Sequence, residues 1–130
     1  MKIFSESFTL TEVDPDGKVF DEVSRGVFMH DKCSVLLDYH SGLFMGKKTD
    51  RVEISLFSDE NNFSEKDIPE KYTYLMGNGL VYKKTVQNSR QVLDISFSGL
   101  LARLEAPVGR IKDIQANRRL YLGIDRTANV

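Results

Sequence analysis

Five stretches of this chain place an apolar residue at every second position, and that period restricts the fold more than any other feature. Cys33, Val35, Leu37 and Tyr39 alternate in KCSVLLDYH. Val52, Ile54 and Leu56 alternate in RVEISLF, with Arg51, Glu53 and Ser55 on the opposite phase. Leu93, Ile95 and Phe97 repeat the pattern, as do Leu100, Ala102 and Leu104, and then Leu120, Leu122 and Ile124. Successive side chains of a strand point to opposite faces, so this is the signature of half-buried antiparallel strands. No stretch holds a helical period. Short strands at regular spacing without helices point to a sandwich or a closed barrel, and a barrel has the advantage of no exposed edges.

Turn signals separate the runs. GNG at 77–79 lies between YTYLM and LVYKK, and Asn78-Gly79 suits a type I′ turn, so a tight hairpin is expected there. QNSR at 87–90 predicts a second reversal. Pro15 and Gly17 in VDPDG predict a turn between strands at 8–13 and 18–30. The stretch 40–50 is punctuated by Gly42 and Gly46 and has no clear assignment. Residues 58–71, polar and acidic around Pro69, read as a surface loop with one helical turn. Residues 106–118 read as a second long connection.

A chain of 130 residues is expected to form one domain, spanning 1–130. At that size roughly two thirds of the unfolded surface is buried, so neither disulfide nor metal is needed for folding. Cys33 is the single cysteine, which excludes an internal bridge and fits a reducing compartment, cytosol or nucleus. MKIFSESFTL is too polar for a secretory signal, so the sequon Asn62-Phe63-Ser64 is expected to go unused. No apolar run approaches the ~20 residues of a membrane span. Net charge is −1, drifting from four basic and eight acidic residues in 1–40 to six basic and three acidic in 99–130. That drift is too weak to mark a nucleic-acid binder by charge alone.

Several constellations invite chemistry. The acids of EVDPDG suggest a calcium loop, but counting from Asp14 puts Val19 sixth and Arg25 twelfth, where an EF-hand needs Gly and Glu. His30, Cys33 and His40 are soft ligands and candidate bases. Read on one strand, His30 and Cys33 fall on opposite faces, and His40 is out of phase with Cys33. No Ser-His-Asp pattern or phosphate-cradling loop is present. Tyr72, Tyr74 and Tyr82 with Lys83 and Lys84 match how small barrels hold single strands, bases on rings and phosphates on ammonium groups. The same rings also serve as core or strand-favouring surface. Arg103, Arg118, Arg119 and Arg126 are either a basic patch or a scattered solvated face.

Four segments, in order, resemble the small subunit numbered eight that the eukaryotic nuclear RNA polymerases I, II and III share. DPDGKVFDEVSR, Asp14 to Arg25, is similar to its N-terminal signature. YTYLMGNGLVYK is similar to its hairpin, matching at Tyr74, Met76, Gly79, Val81 and Tyr82. SFSGLLARLEA matches at Gly99, Leu100, Leu101, Arg103 and Leu104, and RRLYLGIDR is similar to the closing strand. The likeness runs from about residue 8 to 126. Ser98, Ala102 and Gly123 depart from the family's usual Gly, Met and larger apolar residue, and the loops 58–71 and 106–118 are shorter.

The resemblance implies an all-β antiparallel Greek-key barrel of oligonucleotide-binding type with about eight strands. It implies a non-catalytic structural subunit of the nuclear polymerases, docked on the largest subunit near the pore and funnel side, in nucleus and nucleolus. In that setting Asp14 to Gly17 form a turn and Lys18 to Arg25 the strand it launches. The partner-binding residues are expected in Tyr74, Met76, Gly77, Gly99, Leu100, Leu101 and Arg103. Leu101 would be an exposed apolar anchor if it points outward, against burial on both sides of the wall. The alternative is a free-standing single-stranded nucleic-acid-binding module, with contacts at Tyr72, Tyr82, Lys83 and Lys84. A third reading is an enzyme using His30 or His40. No cofactor, metal, membrane or small-molecule substrate is expected.

Overall fold

The computed structural model describes residues 1–18, 20–59 and 63–126. Asn62 of the sequon and Val19 of the expected second strand lie outside the described residues. Eight strands follow in chain order: β1 (Lys2–Val13), β2 (Val23–His30), β3 (Cys33–His40), β4 (Arg51–Ser58), β5 (Tyr74–Gln87), β6 (Arg90–Phe97), β7 (Leu100–Pro107) and β8 (Arg119–Asp125). They close into a barrel in the order β1-β2-β3-β7-β6-β5-β8-β4, every pair antiparallel, with β4 returning to β1. Two meanders, β1-β2-β3 and β5-β6-β7, are joined by the non-sequential pairs β3–β7, β5–β8 and β8–β4. The loop after β4 contains a 3-10 turn, Glu65–Asp67, and α1 (Val108–Ile111) precedes β8.

The alternating residues fill the barrel. Phe8, Leu10, Phe28, Leu37, Ile54, Leu93, Ile95 and Leu120 are almost wholly buried within one cluster. Each such side chain stabilises the fold by about 1.5–3 kcal/mol relative to exposure. Phe44, in the loop between β3 and β4, packs edge-on against Tyr39 at 5.1 Å and lies 5.8 Å from Tyr74, so 40–50 closes one end of the barrel. A second, smaller cluster forms outside the wall, where Phe57, Ile68 and Tyr72 pack with Phe63, Leu75 and Tyr121.

Two sequence expectations are corrected. No hairpin forms at GNG, because β5 runs unbroken from Tyr74 to Gln87. A register shift between Met76 and Gly79 absorbs the extra residue opposite β8, and Asn78 takes φ +56° within it. Gly79 is needed for a different reason than a turn. A Cβ there would lie 2.3 Å from the buried Phe97 ring. The second strand starts at Val23, not Lys18. Asp14 to Gly17 do turn, with Gly17 N donating to Asp14 O at 3.0 Å. Residues 20–22 then form a separate bend, in which Phe20 bridges Val23 and Glu22 holds φ +65°.

The wall also has an opening. The β3–β7 ladder covers only Ser34–Leu37 against Ala102–Glu105. β6 accompanies β5 only from Gly79 onward, so Tyr74 to Met76 pair with β8 alone among the described strands, and Gly77 and Asn78 lie in the bulge. The β6–β7 turn at Ser98 and Gly99, both with positive φ, forms the floor of this notch. The Tyr74 hydroxyl reaches across it and accepts from His40 N at 2.9 Å.

Candidate protein interface on the barrel wall

The outer faces of β3, β5 and β7 bring three large apolar side chains together in the open. Leu36 is 37% exposed, Leu101 42% and Tyr82 49%. They share a shallow groove of about 240 Å³ with Arg25, Asp94, Ala102 and Arg103. Strand register explains the grouping: Leu36 pairs with Arg103 across β3–β7, and Arg103 pairs with Asp94 across β7–β6. A bulge between Val81 and Lys83 turns Tyr82 outward beside them.

Two ion pairs frame the groove. Arg25 Nε donates to Asp38 Oδ1 at 2.7 Å and its Nη2 to Oδ2 at 3.3 Å. Arg103 Nε donates to Asp94 Oδ1 at 2.7 Å. Both aspartates are buried at their carboxylates while the arginines lie partly in solvent. The hydrogen bond to Asp38, then its charge opposed by burial, lifts the Arg25 pKa above its ordinary value, and the hydrogen bond to Asp94 does the same for Arg103. Asp38 also accepts from Leu101 N at 3.1 Å, where the β3–β7 ladder stops. Charged pairs held this way fix the apolar residues in place with little loss of side-chain freedom on contact.

The sequence candidates separate by depth. Leu101 and Arg103 face out into the groove, and Leu100 faces in against the core. Gly99 stands at the turn tip with φ +99°, and Gly77 is exposed at the edge of the notch. Tyr74 and Met76 are buried in the barrel, each 6% exposed, so they support the surface from behind. Of the expected nucleic-acid contacts, Tyr82 and Lys83 are exposed, and Lys84 Nζ donates to Lys112 O at 3.0 Å. Tyr72 is buried in the cluster outside the wall with Phe63 and Ile68, its ring edge-on to Phe57 at 5.2 Å and its hydroxyl bonded to Glu53 at 2.7 Å. Tyr72 and Tyr74 are therefore closed to a stacking base, and one ring remains of the three.

Tyr72 belongs to a polar network on the far wall. Glu53 accepts from Tyr72, Ser5 and Ser55, and Lys71 Nζ lies 3.5 Å away. Burial alone would push the Glu53 carboxyl up; these hydrogen bonds and the Lys71 charge outweigh it and bring it down to about 2.

The histidines stand apart from each other. His30 and Cys33 are not on one strand, as their spacing first suggests, but face each other across the two-residue β2–β3 turn. His30 Nε2 lies 3.6 Å from Glu6, and Cys33 is buried, which raises its thiol pKa. His40 Nδ1 accepts from Gly42 N and Leu43 N, each at 3.2 Å, and so shapes the loop. Among the described residues, no three His, Cys, Asp or Glu side chains converge to hold a metal. Arg103 and Arg126 are each engaged with their own acid, Arg126 with Asp50 at 2.9 Å.

Sequence reasoning missed Arg25, Leu36, Asp38 and Asp94. Phase alone places Leu36, Asp38 and Asp94 opposite the core residues of their strands, but only register brings them together.

Comparison with known proteins gives consistent results. A family model described as RNA polymerase Rpb8 matches residues 5–126. The chain is 29% identical over 143 residues to the probable DNA-directed RNA polymerases I, II, and III subunit RPABC3 of Caenorhabditis elegans, covering 96% of each. It is 29% identical over 137 residues to subunit rpabc3 of Dictyostelium discoideum, covering 95% of this chain and 96% of that one. It is 27% identical over 142 residues to subunit 8B of DNA-directed RNA polymerases II, IV and V of Arabidopsis thaliana, covering 92% of each.

Proposed function

The chain belongs to the RNA polymerase Rpb8 family, and from that premise we propose that it is a non-catalytic structural subunit common to nuclear DNA-directed RNA polymerases I, II and III. It assembles into these enzymes in the nucleus, including the nucleolus, and docks on their largest subunits. The contact surface is the groove of Leu36, Tyr82 and Leu101 with its frame of Arg25–Asp38 and Arg103–Asp94. The match across residues 5–126 carries this reading. The groove supports it physically, since exposed apolar anchors inside a polar rim are the usual anatomy of a binding hot spot. A barrel already rigid in isolation loses little freedom on docking, which suits one subunit serving several homologous partners.

Affinity purification of the tagged chain tests this. The largest subunits of more than one nuclear polymerase are expected in the eluate, and recovery of the chain alone overturns the reading. Of the three tyrosines on which the single-strand-binding alternative rests, Tyr82 alone stays exposed. Salt-dependent oligonucleotide binding by the free chain, lost in Tyr82→Ala, would revive it.

A further inference from the structure

We propose that the open edge of β5 at Tyr74 to Asn78 receives an extended segment of a polymerase subunit as an added strand. This rests on the docking proposed above and names what the partner must present. β5 pairs with β8 at Tyr74 to Met76 and bulges at Gly77 and Asn78, while β6 joins it only from Gly79, so its other side has no neighbouring strand among those described. Backbone N–H and C=O groups alternate in direction along a strand, so about half of those in Tyr74 to Met76 point away from β8 into the notch. Groups of that kind select an occupant by chemistry: an extended peptide that returns donors for acceptors along its length.

Three further observations fit an added strand. The notch is wide enough for one. A single tyrosine bridges it from Tyr74 to His40 N through one 2.9 Å bond, a span on the order of two strand spacings of ~4.8 Å. The approach is unobstructed, because Gly77 and Asn78 are exposed and a Cβ on Gly99 at the floor would meet nothing within 4 Å. Among the devices that keep a sheet edge unpaired, lysine, proline and inward charge are absent from YLMGN, and the one present is the bulge at Gly77 and Asn78, which leaves Tyr74 to Met76 regular. The notch adjoins the groove, since Leu101 and Asp38 lie at the point where the β3–β7 ladder ends. One partner segment can therefore fill the notch while its flank covers Leu101.

Hydrogen exchange of the intact chain, free and within purified polymerase, tests the inference. In the free chain, amides of 74–78 on the open side are expected to exchange fast. In the assembled enzyme they should slow about tenfold or more, the factor that ~1.4 kcal/mol of hydrogen-bond stabilisation supplies. A chain that enters the polymerase while those amides exchange at the free rate overturns the added strand and leaves the docking reading intact. A chain that enters no polymerase overturns both. Protection that appears in the free chain as its concentration rises assigns the edge to a second copy and also overturns the proposal.

Discussion

The two sides of this barrel solve one problem differently. Each wall carries large apolar side chains on its outer face. On the β4–β8 side the chain covers them itself: Phe63, Ile68 and Tyr72, from the connection after β4, pack with Phe57 and Tyr121, and Gly123 keeps a floor flat enough for the Tyr72 ring. On the β3–β7–β6–β5 side Leu36, Leu101 and Tyr82 stay bare between two ion pairs. An apolar patch can be hidden by the chain's own loop or left for another molecule, and the same strand alternation produces both. The covered side is an element of stability; the bare side is the one the proposed docking uses.

The sharpest way to break that contrast is Tyr72→Ala on the covered side. It removes a buried ring and a hydrogen bond to Glu53, and should cost about 3 kcal/mol or more in denaturant unfolding. Next comes Leu101→Asp on the bare side. Stability of the free chain should stay within about 0.5 kcal/mol, while capture of the largest polymerase subunit falls at least ~10-fold in pull-down titration. A loss of stability like that of Tyr72→Ala would move Leu101 into the core and erase the distinction.

A smaller effect belongs to pH. The Glu53 carboxyl is lowered from its usual 4.5 to about 2 in the folded chain. A depressed folded pKa stabilises above the unfolded value, so this contribution is full above about 4.5 and fades as pH falls toward about 2. Acid titration of unfolding should show that slope, and Glu53→Gln should flatten it. Lys83→Ala is the mildest change. Exposed and on the rim, it should alter both stability and polymerase capture by no more than about 0.5 kcal/mol. A large loss of oligonucleotide binding in that variant would instead favour the nucleic-acid reading.

Much of the barrel was legible in the sequence because its strands alternate cleanly, and Cys33 to His40 and Arg51 to Phe57 could be placed by phase alone. What stayed hidden depends on neighbours distant in sequence. Asn78-Gly79 has the composition of a two-residue turn, yet the chain goes straight through it, since Gly79 answers to the Phe97 ring instead of to a turn. Tyr72 and Tyr82 look alike in sequence and have opposite fates, because Phe63 and Ile68 pack with Tyr72 and nothing of the kind covers Tyr82 among the described residues. Leu101 could be proposed as outward-facing from its phase against Leu100. Its companion Leu36 and the carboxylates of Asp38 and Asp94 required the cross-strand register, which no single strand encodes.

The notch beside β5 bears on supply. If that edge is where a partner strand is added, a copy made without its assembly carries Tyr74 to Met76 with one side unpaired and open to an extended segment of another protein. Matching synthesis of this subunit to that of its host would then keep orphan copies from capturing extended segments of the wrong protein.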